Sequence, residues 1–258
     1  MVTRLDAFAF SSLWAACAAA ALTTAAASAL GLPLSPGPVA LAFAGTLMVY
    51  NVDRLRDMEL DRATAPLRTA FVSRHRSSLR ILAALAGATA ILLAWHLGPA
   101  VVWLCGVCAI PGLFHRRFKK RLGMKTFYVT AVWGAVTIGL PVLANPTGIA
   151  AEESGRLPWI IGIYAATLAA NLIASNVRDV EHSRRTRSSR QALLIARGLT
   201  LTGASLAWIA GPNLFALVWI PLTQAAALAA FRTSERYRLW IIDGSLVLGS
   251  LLALGFSR

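Results

Sequence analysis

Between Tyr50 and Arg62 the chain reads YNVDRLRDMELDR, four acids and three arginines in thirteen residues directly after an apolar run. Asp53, Asp57 and Asp61 recur at i, i+4 and i+8. A helix continuing past Tyr50 would set the three carboxylates on one stripe, neighbours about 6 Å apart. Anions stacked in this way repel one another unless a cation sits against them, and hard divalent ions prefer carboxylate oxygen. The competing reading is a solvated helix end, with Asp53 paired to Arg56, Arg54 to Asp57 and Glu59 to Arg62. That pairing leaves Asp61 with no cation three or four residues away. A second stretch repeats the pattern. Arg56-Asp57-Met58-Glu59-Leu60-Asp61-Arg62 lines up with Arg178-Asp179-Val180-Glu181-His182-Ser183-Arg184, and Asn176-Val177 echoes Asn51-Val52. Two facing carboxylate clusters roofed by basic loops would hold Mg²⁺ on a diphosphate, with Lys and Arg neutralising the remaining charge.

The elements that must position these residues are membrane helices. Of 258 residues, 57% are hydrophobic and 14% charged, with a mean hydropathy of +0.63, well beyond soluble domains. Nine apolar segments follow one another: Phe8 to Leu30, Val39 to Tyr50 with the turns after it, Leu79 to His96, Pro99 to Phe114, Thr126 to Leu143, Pro158 to Ser175, Gln191 to Ala210, Asn213 to Phe231 and Leu239 to Phe256. They lack the period-2 alternation of outer-membrane strands, so an all-α polytopic bundle of about nine transmembrane helices is expected. Phe8 to Leu30 is read as its first helix and not as a secretory signal. Both acidic stretches follow an even-numbered helix, four helices apart. This spacing implies one domain over residues 1–258, internally duplicated around a central cavity open to the cytoplasm.

Charge placement supports the parse. The connections after helices two, four, six and eight carry 7, 6, 5 and 3 cations, which with Arg4 make 22 of the 25 Lys and Arg. The positive-inside rule then puts the N-terminus in the cytoplasm, in what reads as a bacterial inner membrane. Net charge +14 is therefore a topological signal, and nucleic acid is excluded as a partner because no basic domain stands outside the membrane. Cys17, Cys105 and Cys108 lie inside apolar segments and read as packing residues. Asp243, four residues into the last helix, reads as a structural group reaching solvent or pairing with Arg238.

These residues resemble the UbiA superfamily of intramembrane prenyltransferases. DRLRDMELD occupies the frame of that family's NDxxDxxxD motif: Asp57 and Asp61 match its later aspartates, Asp53 stands for its Asn, and Arg54 replaces its first Asp. Pro66-Leu67-Arg68 with Ser73 is similar to the family's RPL…SG segment. In the second motif, RDxEGDR, the residues Arg178, Asp179, Glu181 and Arg184 match while His182 and Ser183 depart. GMKTFYVTAVWG resembles the family's fifth-helix entrance. The resemblance implies Mg²⁺-dependent transfer of a prenyl group from a polyprenyl diphosphate to an aromatic or other hydrophobic acceptor in the bilayer. By the same resemblance Asp53, Asp57, Asp61 and Asp179 would be catalytic metal ligands with Asn176 beside them, and Lys119, Lys120, Lys125, Arg184 and Arg54 would contact diphosphate. A terpene cyclase on the same fold, or a lipid-binding protein that has lost catalysis through Arg54 and Ser183, are the alternatives.

Overall fold

The computed structural model describes residues 3–113, 122–181 and 186–257. They form only helices and connections. In order these are α1 (Arg4–Phe10), α2 (Leu13–Ala29), α3 (Pro36–Arg56), α4 (Met58–Asp61), α5 (Pro66–Arg74), α6 (Arg76–Leu97), α7 (Pro99–Leu113) and α8 (Leu122–Gly134). A π-turn, Ala135–Gly139, leads into α9 (Leu140–Leu143), followed by α10 (Ala151–Ser154), α11 (Leu157–Glu181) and α12 (Thr186–Ile209). Then α13 (Pro212–Phe215) runs through a 3₁₀ turn into α14 (Trp219–Ala229), and α15 (Glu235–Tyr237) runs through a second π-turn, Arg238–Ile242, into α16 (Asp243–Phe256).

Among the described residues six stretches are long and apolar enough to cross a bilayer, and Leu13–Ala29 and Pro99–Ile110 are shorter apolar helices. Together they make the chain an integral membrane protein. Its outer surface fits that solvent: Ile91, Leu92, Trp95 and Trp103 on α6 and α7 are each at least 70% exposed, an arrangement tolerable only against acyl chains.

The alanine-rich α2 runs through the middle of the bundle, packed against α3 on one side and α16 on the other. Small side chains are what allow such close approach between helices in lipid. Leu22 and Ala26 of α2 meet Ile160, Ile163 and Tyr164 of α11, Ile220 of α14 and Leu246 of α16 in the principal core. The one polar atom of that aromatic is satisfied within it, since the Tyr164 hydroxyl donates to the carbonyl of Leu22 at 2.8 Å. Among the described glycines the closest approach to a neighbouring helix's backbone is at Gly249, where a Cβ would lie 2.6 Å from Ile220 Cα and 2.8 Å from the Trp219 carbonyl oxygen. Only glycine fits between α16 and α14.

Two sequence expectations need correction. The segment Phe8 to Leu30 is two helices, parted at Ser12, whose φ of 68° lies in the left-handed region. Nor does the second apolar helix carry Asp53, Asp57 and Asp61 on one unbroken stripe. It ends at Asp57 (φ −101°, ψ 13°), and Asp61 closes the separate turn α4.

Candidate active site

Charged and amide side chains collect at one end of the bundle, where α3 stops. Asn51, fully buried, donates its Nδ2 to the carbonyls of Ser11 and Leu47 at 2.9 Å. One turn on, Arg54 donates Nη1 to the carbonyls of Ala9, at 3.1 Å, and of Phe10. Three successive carbonyls, Ala9 to Ser11, are thus held by the helix that carries the first acidic motif. This grip explains the left-handed Ser12: the strain of such a backbone, about 1 kcal/mol or more, persists only where surrounding bonds over-determine it. Arg54, expected to meet diphosphate, uses its Nη1 to tie α3 to the α1–α2 turn.

After the break at Asp57, itself only 2% exposed, the chain folds into a cap. Asp61 holds Arg68 in an ion pair of 2.6 Å, so the acid left without a partner by local pairing finds one seven residues away. Pro66 opens α5, and the exposed amides at its start point to Glu235, which accepts from Leu67 N at 3.2 Å and Arg68 N at 2.9 Å. An anion at a helix N-terminus is favoured by both the free N–H groups and the dipole. Phe71 of α5 packs on Phe10 and on His75. Burial pulls the Arg68 guanidinium below its ordinary pKa, and Arg238 adds to the effect, while Asp61 and Glu235 oppose it. Its Nε is buried without a hydrogen bond.

The first helix closes over this region. Asp6, in a capping box with Thr3, receives Arg236 Nε at 3.1 Å and Nη2 at 2.9 Å. Burial would raise the Asp6 pKa, but the bonds from Thr3 and Arg236 outweigh it and hold the carboxyl below the usual range.

Across the bundle end, Lys125 of α8 donates Nζ to Asn176 Oδ1 of α11 at 2.9 Å. The Asn176 Nδ2 is buried and unbonded. Tyr50 of α3 accepts from Trp133 Nε1 at 3.2 Å, and Asp53 lies within the electrostatic reach of both Tyr50 and Tyr128. The structure therefore gathers Asp53, Arg54, Asp57, Asp61, Lys125 and Asn176 from α3, α4, α8 and α11 at one end. Lys119, Lys120 and Arg184 lie outside the described residues, as does the side chain of Asp179, whose backbone belongs to α11.

The described donors that suit a hard cation are the carboxylates of Asp53 and Asp57 and the amide oxygen of Asn176, which already holds the Lys125 ammonium. That oxygen-rich chemistry fits Mg²⁺, although among the described residues no three acidic, His or Cys groups are close enough to hold an ion by themselves. Arg68 carries no local sequence signal, because its partner Asp61 lies seven positions away and Glu235 far along the chain, beyond any local spacing rule. Asn171, which binds Asp243, carries no sequence signal at all.

No protein-family model and no curated protein matches this sequence. A solved structure of a digeranylgeranylglyceryl phosphate synthase in membranes aligns with the chain at TM-score 0.58, covering 97% of each chain at 14% identity. The chain thus shares its overall fold with that synthase.

Proposed function

We propose that the protein is a Mg²⁺-dependent prenyltransferase that moves a prenyl group from a polyprenyl diphosphate to a hydrophobic acceptor within the bilayer. The observation that carries this reading is the whole-length likeness in fold to a prenyltransferase, with Asp53 and Asp57 at the end of α3 and Asn176 near the end of α11. Nine membrane crossings, a duplicated arrangement of the two acidic motifs and a cytoplasmic N-terminus in a bacterial inner membrane belong to the same proposal.

Asp53, Asp57, Asn176 and Asp179 would hold the metal. A bound Mg²⁺ would supply charge neutralisation on the leaving diphosphate. Lys125, now on Asn176 Oδ1, is a mobile ammonium able to turn to a phosphate oxygen. Lys119, Lys120, Arg184 and Arg54 are assigned the same partner. Arg68 has a buried Nε without a hydrogen bond and is oriented by Asp61, so it presents a donor to the developing charge. Arg54 supports Asp53 and Asp57 by fixing α3 against the α1–α2 turn. Tyr50, Tyr128 and Trp133 line the approach, where aromatic faces shelter an allylic cation.

The test is diphosphate release from geranylgeranyl diphosphate by the purified protein in lipid nanodiscs. Release should require Mg²⁺ and fall by about 10²-fold or more in Asp57→Asn. Equal release in EDTA, or in Asp57→Asn, refutes the proposal.

A further inference from the structure

One ionisable group at this end takes no part in the scheme above. Asp243 is the first residue of α16, directly after the π-turn Arg238–Ile242, and π-turns inside helices recur at functional sites. It had been expected to reach solvent or to pair with Arg238. Its carboxylate instead takes one hydrogen bond among the described residues, from Asn171 Nδ2 of α11 at 3.5 Å. No ion pair reaches it there. Asn171 is itself fixed, because the same Nδ2 donates to the Ile242 carbonyl at 3.1 Å, an acceptor shared with Ser245 Oγ at 2.8 Å.

Among the described residues, the ionisable groups that act on Asp243 lie at this same end of the bundle. Tyr50 and Arg54 face it from α3, Arg68 from α5, and Arg238 from the adjoining π-turn. A carboxylate on a membrane helix with only one long hydrogen bond retains an acceptor oxygen for something else. That something must donate a hydrogen bond. It is not a cation, which the guanidiniums of Arg54, Arg68 and Arg238 would repel. A neutral hydroxyl fits both conditions.

We propose that Asp243 is the base on the acceptor side, and that the acceptor is a lipid carrying a free hydroxyl. This rests on the prenyl-transfer reading. As the C–O bond to diphosphate breaks, its electron pair leaves with the diphosphate. A lone pair of the acceptor hydroxyl forms the new C–O bond, and the hydroxyl proton passes to the Asp243 carboxylate. Asn171 is the positioning residue, holding that carboxylate toward α3. A ring-carbon nucleophile would not need this geometry, since it has no O–H to dock against the open oxygen.

The experiment incubates the full-length protein with geranylgeranyl diphosphate, Mg²⁺ and either 1-alkylglycerol or a 4-alkylphenol, and measures diphosphate release and prenylated lipid separately. Wild type should form the ether. In Asp243→Asn, ether formation should fall by about 10²-fold while diphosphate release stays within about threefold, the surplus appearing as prenyl alcohol or hydrocarbon. A thermal midpoint close to wild type separates this uncoupling from misfolding. Should Asp243→Asn not fold, Asn171→Ala, which removes the group that positions the carboxylate, carries the same comparison of release against transfer. Release and transfer falling together, both unchanged, alkylation of ring carbon only, or transfer to neither acceptor overturns the inference while leaving diphosphate ionisation intact as a separate finding. Absence of release from wild type refutes the proposed function itself.

Discussion

The two ends of the bundle are closed by different means. At the end where α3 stops, side chains reach across long stretches of sequence: Arg54 to Ala9 and Phe10, Asn51 to Ser11, Glu235 to the start of α5, and Arg236 to Asp6. At the other end Arg156 reaches the Ala29 carbonyl only at 3.4 Å and Ser28 meets Ser257 at 3.2 Å, while the turn after α9 is held by bonds of short span, such as Asn145 Nδ2 to Gly148 at 2.7 Å and Thr147 to Asn145 at 3.0 Å. A small pocket of about 130 Å³ there is lined by Pro33, Pro38, Pro141 and Pro146 among others. Prolines and tight turns are enough to return a chain through water. Guanidinium and amide groups withdrawn from water must be repaid bond by bond, and a fold retains them where geometry matters for chemistry.

The comparison predicts a graded response to mutation. Arg54→Leu should have the largest effect, losing about 3 kcal/mol by leaving the Ala9 and Phe10 carbonyls without donors, and the thermal midpoint of the purified protein would report it. A midpoint within a degree or two of wild type would mean that the two ends differ only in appearance. Asp6→Asn should be next, at about 1–2 kcal/mol, through loss of the ion-paired bonds to Arg236 and weakening of the capping box. Because the folded Asp6 carboxyl titrates below its ordinary value, its contribution is fully present above the unfolded pKa of about 3.9 and disappears as pH falls through the lower folded value. Wild type should therefore lose more stability than Asp6→Asn on acidification below about pH 4. Tyr164→Phe, which removes one buried bond to Leu22 midway along the bundle, should cost about 1 kcal/mol. Asn145→Ala at the simpler end should fall within about 0.5 kcal/mol of wild type.

What could be read in advance follows the same division. Helices α6, α11, α12 and α16 announce themselves as apolar runs because lipid demands twenty or so consecutive apolar residues. Motif spacing and the family resemblance pointed to Asp53, Asp57, Lys125 and Asn176, and of these the structure joins Lys125 to Asn176. The break at Ser12 was not, since the cause lies in donors some forty residues on. The interruption at Asp57 was hidden for the opposite reason: an i, i+4, i+8 pattern reads as continuous helix even where the backbone turns aside. Asp61 has no cation within one helical turn of sequence, whereas its partner Arg68 sits on α5. The Gly249 contact was equally invisible, since nothing in LVLGSLLAL distinguishes a glycine wedged against a neighbouring backbone from one that merely fills space.

The grip of Asn51 and Arg54 on the α1–α2 turn has a practical corollary. Residues 3–12 belong to the scaffolding of the proposed site, so trimming them for expression would release the end of α3 that carries Asp53 and Asp57. An inactive preparation of a shortened protein would then report a loosened helix, not a missing activity, and affinity handles are better placed beyond Phe256.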